Sequence, residues 1–159
     1  MRNEQAREWS AALIREFVEK ARQKGKSCSI LNRIAYTGAA RMDVLFQYAQ
    51  QYGFYLVIQP PEEQNNKWYA MGGSWKEMLK TMVFHFWTAE DEEVLAAGRP
   101  EDLEKVTRQT ERRKKLAEMG ITVEAVNGWL RRHQVPPMES FCILALCEGF
   151  KIEWREVGK

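Results

Sequence analysis

A chain of 159 residues with 45% hydrophobic and 11% aromatic residues holds enough apolar material for one ordinary domain or two small ones. Its net charge of +2 is uninformative until it is divided along the chain, and no apolar run approaches the ~18 residues needed to span a bilayer. The charged opening MRNEQAREWS lacks the apolar stretch of a secretion signal, so a cytoplasmic protein with no membrane partner is expected.

Taken in chain order, the pattern predicts a helix from Gln5 to Lys24. Trp9, Leu13, Phe17 and Ala21 recur every four positions, Ala12, Ile14 and Val18 widen the stripe, and Gly25 closes it. Ser27 is placed to cap a short helix from Cys28 to Tyr36 with Ile30, Leu31 and Ile34 inward, and Thr37-Gly38 breaks it. A third helix is predicted from Arg41 to Tyr52, with Val44, Leu45, Tyr48 and Ala49 inward and Gly53 at its end. Phe54–Ile58 is β-branched and aromatic and is predicted to be a strand. Lys67–Met71 is predicted to pair with it as a hairpin, an edge that a second subunit could extend.

The segment SWKEMLKTMVFHFW places Trp75, Met78, Leu79, Met82, Val83 and Phe86 at helical spacing, with Phe84 and Trp87 on a further face. Such a helix is either sandwiched between neighbouring parts of the chain or used in a subunit contact. Further helices are predicted over Thr88–Ala97 and from Pro100 to Met119, closed by Gly120. Thr122 caps a helix to His133 with Val123, Val126 and Trp129 or Leu130 inward. Pro136-Pro137 interrupts the chain before a last helix, Met138–Glu148, and a short apolar tail ending at Trp154. Three cysteines without paired spacing, Cys28, Cys142 and Cys147, are expected to be small apolar residues in a reducing compartment.

Two stretches of this plan run in parallel. Gly25, Ser27, Leu31, Asn32 and Ile34 match Gly120, Thr122, Val126, Asn127 and Trp129 at an offset of 95. Beyond one extra residue, Pro136, the offset becomes 96, and Met42, Asp43, Leu45, Ala49, Gly53, Phe54 and Leu56 match Met138, Glu139, Phe141, Ala145, Gly149, Phe150 and Ile152. So long a period implies two copies of one small module rather than a solenoid. Charge follows the same division. Residues 1–58 carry nine basic and five acidic side chains (+4), residues 59–104 four and ten (−6), and residues 105–159 eleven and seven (+4). Two basic modules around an acidic connector suit a polyanionic partner.

Each copy has a helix, a tight turn with Gly then Ser or Thr, a second short helix, a breaker and a third helix ending in Gly-Phe. Two helices across a short Gly-containing turn form the helix-turn-helix unit, whose second helix can enter the major groove. In the first copy Leu31 and Ile34 pin that helix, leaving Ser29, Asn32, Arg33 and Tyr36 outward. Asn can pair bidentately with adenine and Arg with guanine or phosphate, while Lys24, Lys26 and Arg41 flank the site as phosphate contacts.

The stretch SCSILNRIAYTGAARMDVLFQYAQQYGFYLVI resembles, without a gap, the second half of the lambda-repressor-like (Xre/Cro) helix-turn-helix domains. The likeness lies in Ser27, Arg33-Ile34, Gly38, Met42-Asp43-Val44-Leu45 and Ala49 to Gly53. The second copy resembles phage-repressor forms of the same family through Trp129-Leu130, Pro136-Pro137-Met138-Glu139, Ala145 to Gly149 and Ile152-x-Trp154. Together the likenesses span roughly half the chain, and residues 59–104 resemble nothing. The resemblance implies a mainly α fold: a module over 1–58, a connector over 59–104 with a short β-hairpin or strand element, and a module over 105–159. The family's usual Gln at the second position of the recognition helix is replaced by Cys28 and Val123, and Gly128 stands where the first copy has Arg33. Glu124 would face phosphates unfavourably, and the second copy's positive charge has moved to the flanks, at Arg112, Arg113, Lys114, Lys115, Arg131 and Arg132.

The function expected is that of a DNA-binding transcriptional regulator of phage-repressor or antitoxin type, acting as a homodimer on double-stranded DNA, without cofactor or metal. Ser27, Thr122, Asn127 and His133 join the residues above as candidate DNA contacts. A helix-turn-helix protein that has lost DNA and binds a protein partner, a toxin or a host factor, is the alternative. Catalysis is not expected. No nucleophile–base pair or metal spacing stands out, His85 lies in an apolar helix, and Glu90-Asp91-Glu92-Glu93 reads as a solvated helix start.

Overall fold

The computed structural model describes residues 4–26, 28–59, 69–70, 74–84 and 114–158. Within them the fold is mainly helical, with one three-stranded sheet. Helix α1 spans Glu4–Gln23 without a break and buries Ala6, Ser10, Leu13, Ile14, Phe17, Val18 and Ala21. That stripe lies at i, i+3, i+4 and i+7, and Ala12, expected within it, faces solvent. Glu4 in its first turn and Lys20 and Arg22 in its last oppose the helix dipole.

Gly25 closes α1 in the left-handed region. Its N–H donates to the Arg22 carbonyl, and that of Lys26 donates to the Ala21 carbonyl, the paired bonds of a Schellman end. The same two bonds recur 95 positions later, Gly120 to Ala117 and Ile121 to Leu116, at the end of a helical segment over residues 114–118.

Helix α2 runs Ser29–Thr37 with Cys28 as its N-cap and no side-chain cap. It therefore starts one residue later than the pattern predicts, and Ser27, the expected cap, lies outside the described residues. Leu31 and Ile34 are buried, while Ile30 is only half-buried. Gly38 ends the helix at φ 70°, and a Cβ there would sit 2.8 Å from Ala11 Cβ. Only glycine lets the end of α2 lie this close to α1.

Helix α3, Met42–Tyr52, buries Met42, Leu45, Phe46 and Ala49, whereas Val44 and Tyr48 are half-buried. The inward face is thus turned slightly from the one expected, because α3 packs on both α1 and the following strand. Gly53 caps α3, and Gly149 caps the last helix 96 positions later, each donating from N–H at 3.4 Å, to the Gln50 and Leu146 carbonyls respectively.

Strand β1, Phe54–Gln59, pairs antiparallel with the two-residue β2, Tyr69–Ala70, as the hairpin reading expects. Its other edge is filled by β3, Lys151–Glu156, in a six-residue antiparallel register from Phe54↔Glu156 to Gln59↔Lys151. β1 is therefore the central strand rather than an edge open to a second subunit. The tail after Gly149 is a strand, with Ile152 and Trp154 inward and Lys151 and Glu153 exposed.

Helix α4, Trp75–Phe84, buries Met78, Leu79 and Met82 and packs against α3 and two later helices. It thus lies between the two halves of the chain, the first of its two expected roles. The predicted helix over Thr88–Ala97, His85 and most of the Pro100–Met119 helix lie outside the described residues. Helix α5, Val123–Arg131, is capped by Thr122, whose Oγ1 accepts from the Ala125 N–H at 3.1 Å. It stops two residues short of His133, with Arg132 extended. Helix α6, Met138–Glu148, buries the unbroken run Phe141–Ala145, the mark of a helix covered on all sides.

One core joins both halves. The Phe17 ring stacks on Trp154 at 5.0 Å and meets Phe54 edge-on at 5.9 Å. Trp154 Nε1 donates to the Leu13 carbonyl at 2.8 Å, so the last strand is tied to the first helix. No helix among the described residues is long and apolar enough to cross a membrane.

Candidate nucleic-acid interface

The polar face of α2 follows from its burial pattern. With Leu31 and Ile34 fixed inward three residues apart, Ser29, Asn32, Arg33 and Tyr36 are all turned to solvent. Tyr36 is 88% exposed, unusually open for a large ring. The tip of α2 is braced by α1. Arg22 Nη2 donates to Asn32 Oδ1 at 2.7 Å, and Arg15 Nε donates to the Ala35 carbonyl at 3.0 Å. Asn32 keeps its amide N–H groups and a second lone pair for another partner. Arg22 is a residue that sequence reasoning did not single out; its signal is one turn of α1 before Gly25 and ten positions from Asn32.

The expected phosphate contacts divide into free and engaged. The side chains of Lys26 and Arg33 are exposed and make no ion pair or hydrogen bond among the described residues. Lys24 is paired with Glu156 and lies over the Phe54 ring, 4.8 Å from its centre. Arg41 grips Asp43 with two bonds, Nε at 3.1 Å and Nη2 at 2.6 Å. Both cations would have to share their carboxylate with a phosphate, so they are weaker candidates than their charge alone suggests.

In the second half Thr122 is spent on capping α5. Arg131, Arg132 and His133 are exposed at the end of α5 and just beyond it. Arg112 and Arg113 lie outside the described residues, as does the side chain of Asn127. Lys114 and Lys115 are exposed on the preceding helical segment.

The counterpart of Arg33 is Gly128, and it is buried. A Cβ at Gly128 would lie 2.0 Å from Gln134 Oε1 and 2.9 Å from Gln134 Cδ, so the Gln134 side chain rests directly on the helix backbone. After α2 the left-handed Gly38 turns the chain away, whereas after α5 Arg132 is extended and the next residue is His133 rather than Gly. Together with the extra residue before Pro137, this different exit brings Gln134 back over α5. The second short helix therefore offers no open counterpart of the Arg33 position.

The remaining chemistry is quiet. Cys28, Cys142 and Cys147 form no disulfide, and among the described residues no cluster of His, Cys, Asp or Glu is placed to hold a metal ion. Burial, with the nearby Glu139 charge, pushes the Cys142 thiol up to about 12, which makes it an inert apolar side chain. No protein-family model, curated protein or solved structure matches this chain.

Proposed function

We propose that this chain is a DNA-binding transcriptional regulator of phage-repressor or antitoxin type, with α2 as the helix that enters the major groove of double-stranded DNA. The observation that carries the reading is the face of α2, where Ser29, Asn32, Arg33 and Tyr36 are exposed together above the buried Leu31 and Ile34. Short polar groups and one free guanidinium on a rigid helix match what base edges require. Lys26 beside them supplies a phosphate contact. Arg22 supports the reading further, because a held Asn32 loses less freedom on pairing with a base than a mobile one.

The test is selection of bound duplexes from a random pool, for the unaltered chain and for Arg33→Ala. Enrichment of a motif that the variant loses at one position, at a cost of about 1–3 kcal/mol there, is expected. Enrichment of no motif by the unaltered chain would count against base reading.

A second reading, a helix-turn-helix fold kept for binding a protein such as a toxin or a host factor, is favoured by one feature. Tyr36 offers a nearly bare aromatic ring, a common anchor of protein interfaces. Neither reading calls for catalysis.

A further inference from the structure

The contacts between the two halves have a regularity of their own. Val57 pairs with Glu153 and Arg41 with Pro137, and in both pairs the partners are 96 positions apart, each the other's counterpart in the repeat. The flanking pairs exchange roles. Leu56↔Trp154 is mirrored by Ile58↔Ile152, and Tyr55↔Arg155 by Gln59↔Lys151. The Met42 N–H donates to the Pro136 carbonyl at 3.0 Å, and the Met138 N–H donates to the Ala40 carbonyl at 2.8 Å, again the same bond with the copies exchanged. Residue i meeting j while the counterpart of j meets the counterpart of i is the rule of a two-fold, isologous interface. Here that interface is made inside a single chain.

We propose that the chain acts on DNA as an internal pseudo-dimer, one chain per site, in which only the first half reads bases and the second holds phosphates. This rests on the DNA-binding reading above and adds a division of labour to it. The surface through which two modules would pair as separate subunits is already consumed by β1 against β3 and by the Arg41–Pro137 bridge. The homodimer expected from the sequence is thereby replaced within the fold.

The halves are alike in architecture and unlike at the reading face. Of the four outward positions on α2, Asn32 keeps its match in Asn127, whereas Ser29, Arg33 and Tyr36 correspond to Glu124, Gly128 and Arg131 on α5. A carboxylate replaces a hydroxyl, the guanidinium position is bare backbone under Gln134, and the last position is a cation. With Gln134 over the Gly128 backbone and a carboxylate that repels phosphate at Glu124, α5 is poorly suited to lie in a groove, but Arg131 and Arg132 at the helix end can neutralise backbone charge. Symmetry of scaffold with asymmetry of chemistry predicts a site with sequence information on one side only.

Two readouts on the same selected duplex test this. Sedimentation of the complex is expected to give one chain per duplex, and the selected motif is expected to be one-sided rather than palindromic. Arg131→Ala with Arg132→Ala is expected to weaken all duplexes alike, leave the motif unchanged and reduce the log–log salt slope by about 2. Thermal melts matching the unaltered chain establish that this exposed pair is not needed for folding. A palindromic motif, two chains per duplex, or a motif altered by the Arg131/Arg132 double variant overturns the division of labour while leaving DNA reading intact. Absence of duplex binding at low salt overturns both.

Discussion

Gly38 shows how much one residue carries. It closes α2 in the left-handed region and lies against Ala11, so any side chain there meets both backbone strain and a clash. Gly38→Ala is expected to cost roughly 2–5 kcal/mol, the sum of a left-handed alanine and an overpacked contact, read as a lowered urea midpoint. Gly128 is the opposite case. Its backbone is ordinary helix and its neighbour is the flexible end of Gln134, which can swing away. Gly128→Ala is expected to be near neutral, the helix gain of about 1 kcal/mol offset by lost Gln134 packing, in the same urea titration.

Cys142 makes a third prediction at this scale. Its thiol is raised from 9.0 to about 12 in the folded chain, so the fold holds a proton that the unfolded chain releases. Stability is thus fully present below pH 9 and declines as pH rises toward 12, by at most about 1.4 kcal/mol per pH unit. Urea unfolding at pH 8 and pH 10 should show this loss in the unaltered chain and a smaller one in Cys142→Ala.

Among the elements, β3 ties the molecule together. Trp154 stacks on Phe17 and hydrogen-bonds the Leu13 carbonyl, so Trp154→Ala should cost about 3–5 kcal/mol, more than a substitution at exposed Glu153 on the same strand. The helices were legible because period and punctuation agree. Apolar residues recur at 3.6-residue spacing, and Gly25, Gly38, Gly53, Gly120 and Gly149 all sit at positive φ where helices end. Lys151–Glu156 reads in sequence only as a short apolar tail, because the partner that makes it a strand, Phe54–Gln59, lies about a hundred residues away and no local pattern names it. The outward set on α2 could be read from Leu31 and Ile34 alone. The Arg22–Asn32 bond and the return of Gln134 over Gly128 could not, because both depend on how separate elements converge.

At the scale of the whole molecule, the two basic halves behave as one body. α4 packs against elements of both, α1 packs on α2 and α6, and a single core runs through them. Unfolding should therefore be one cooperative transition, coincident by far-ultraviolet and near-ultraviolet dichroism, rather than two steps from independent modules. This shared body holds α2 with its polar face outward, and duplex DNA is the partner proposed for it. The most direct test is the affinity for duplex DNA as salt is raised. The account predicts binding at low salt that weakens with a log–log slope of about −0.9 for each phosphate contact, which includes Lys26, Arg131 and Arg132. No duplex binding at low salt, with salt-insensitive binding to a protein instead, would contradict it.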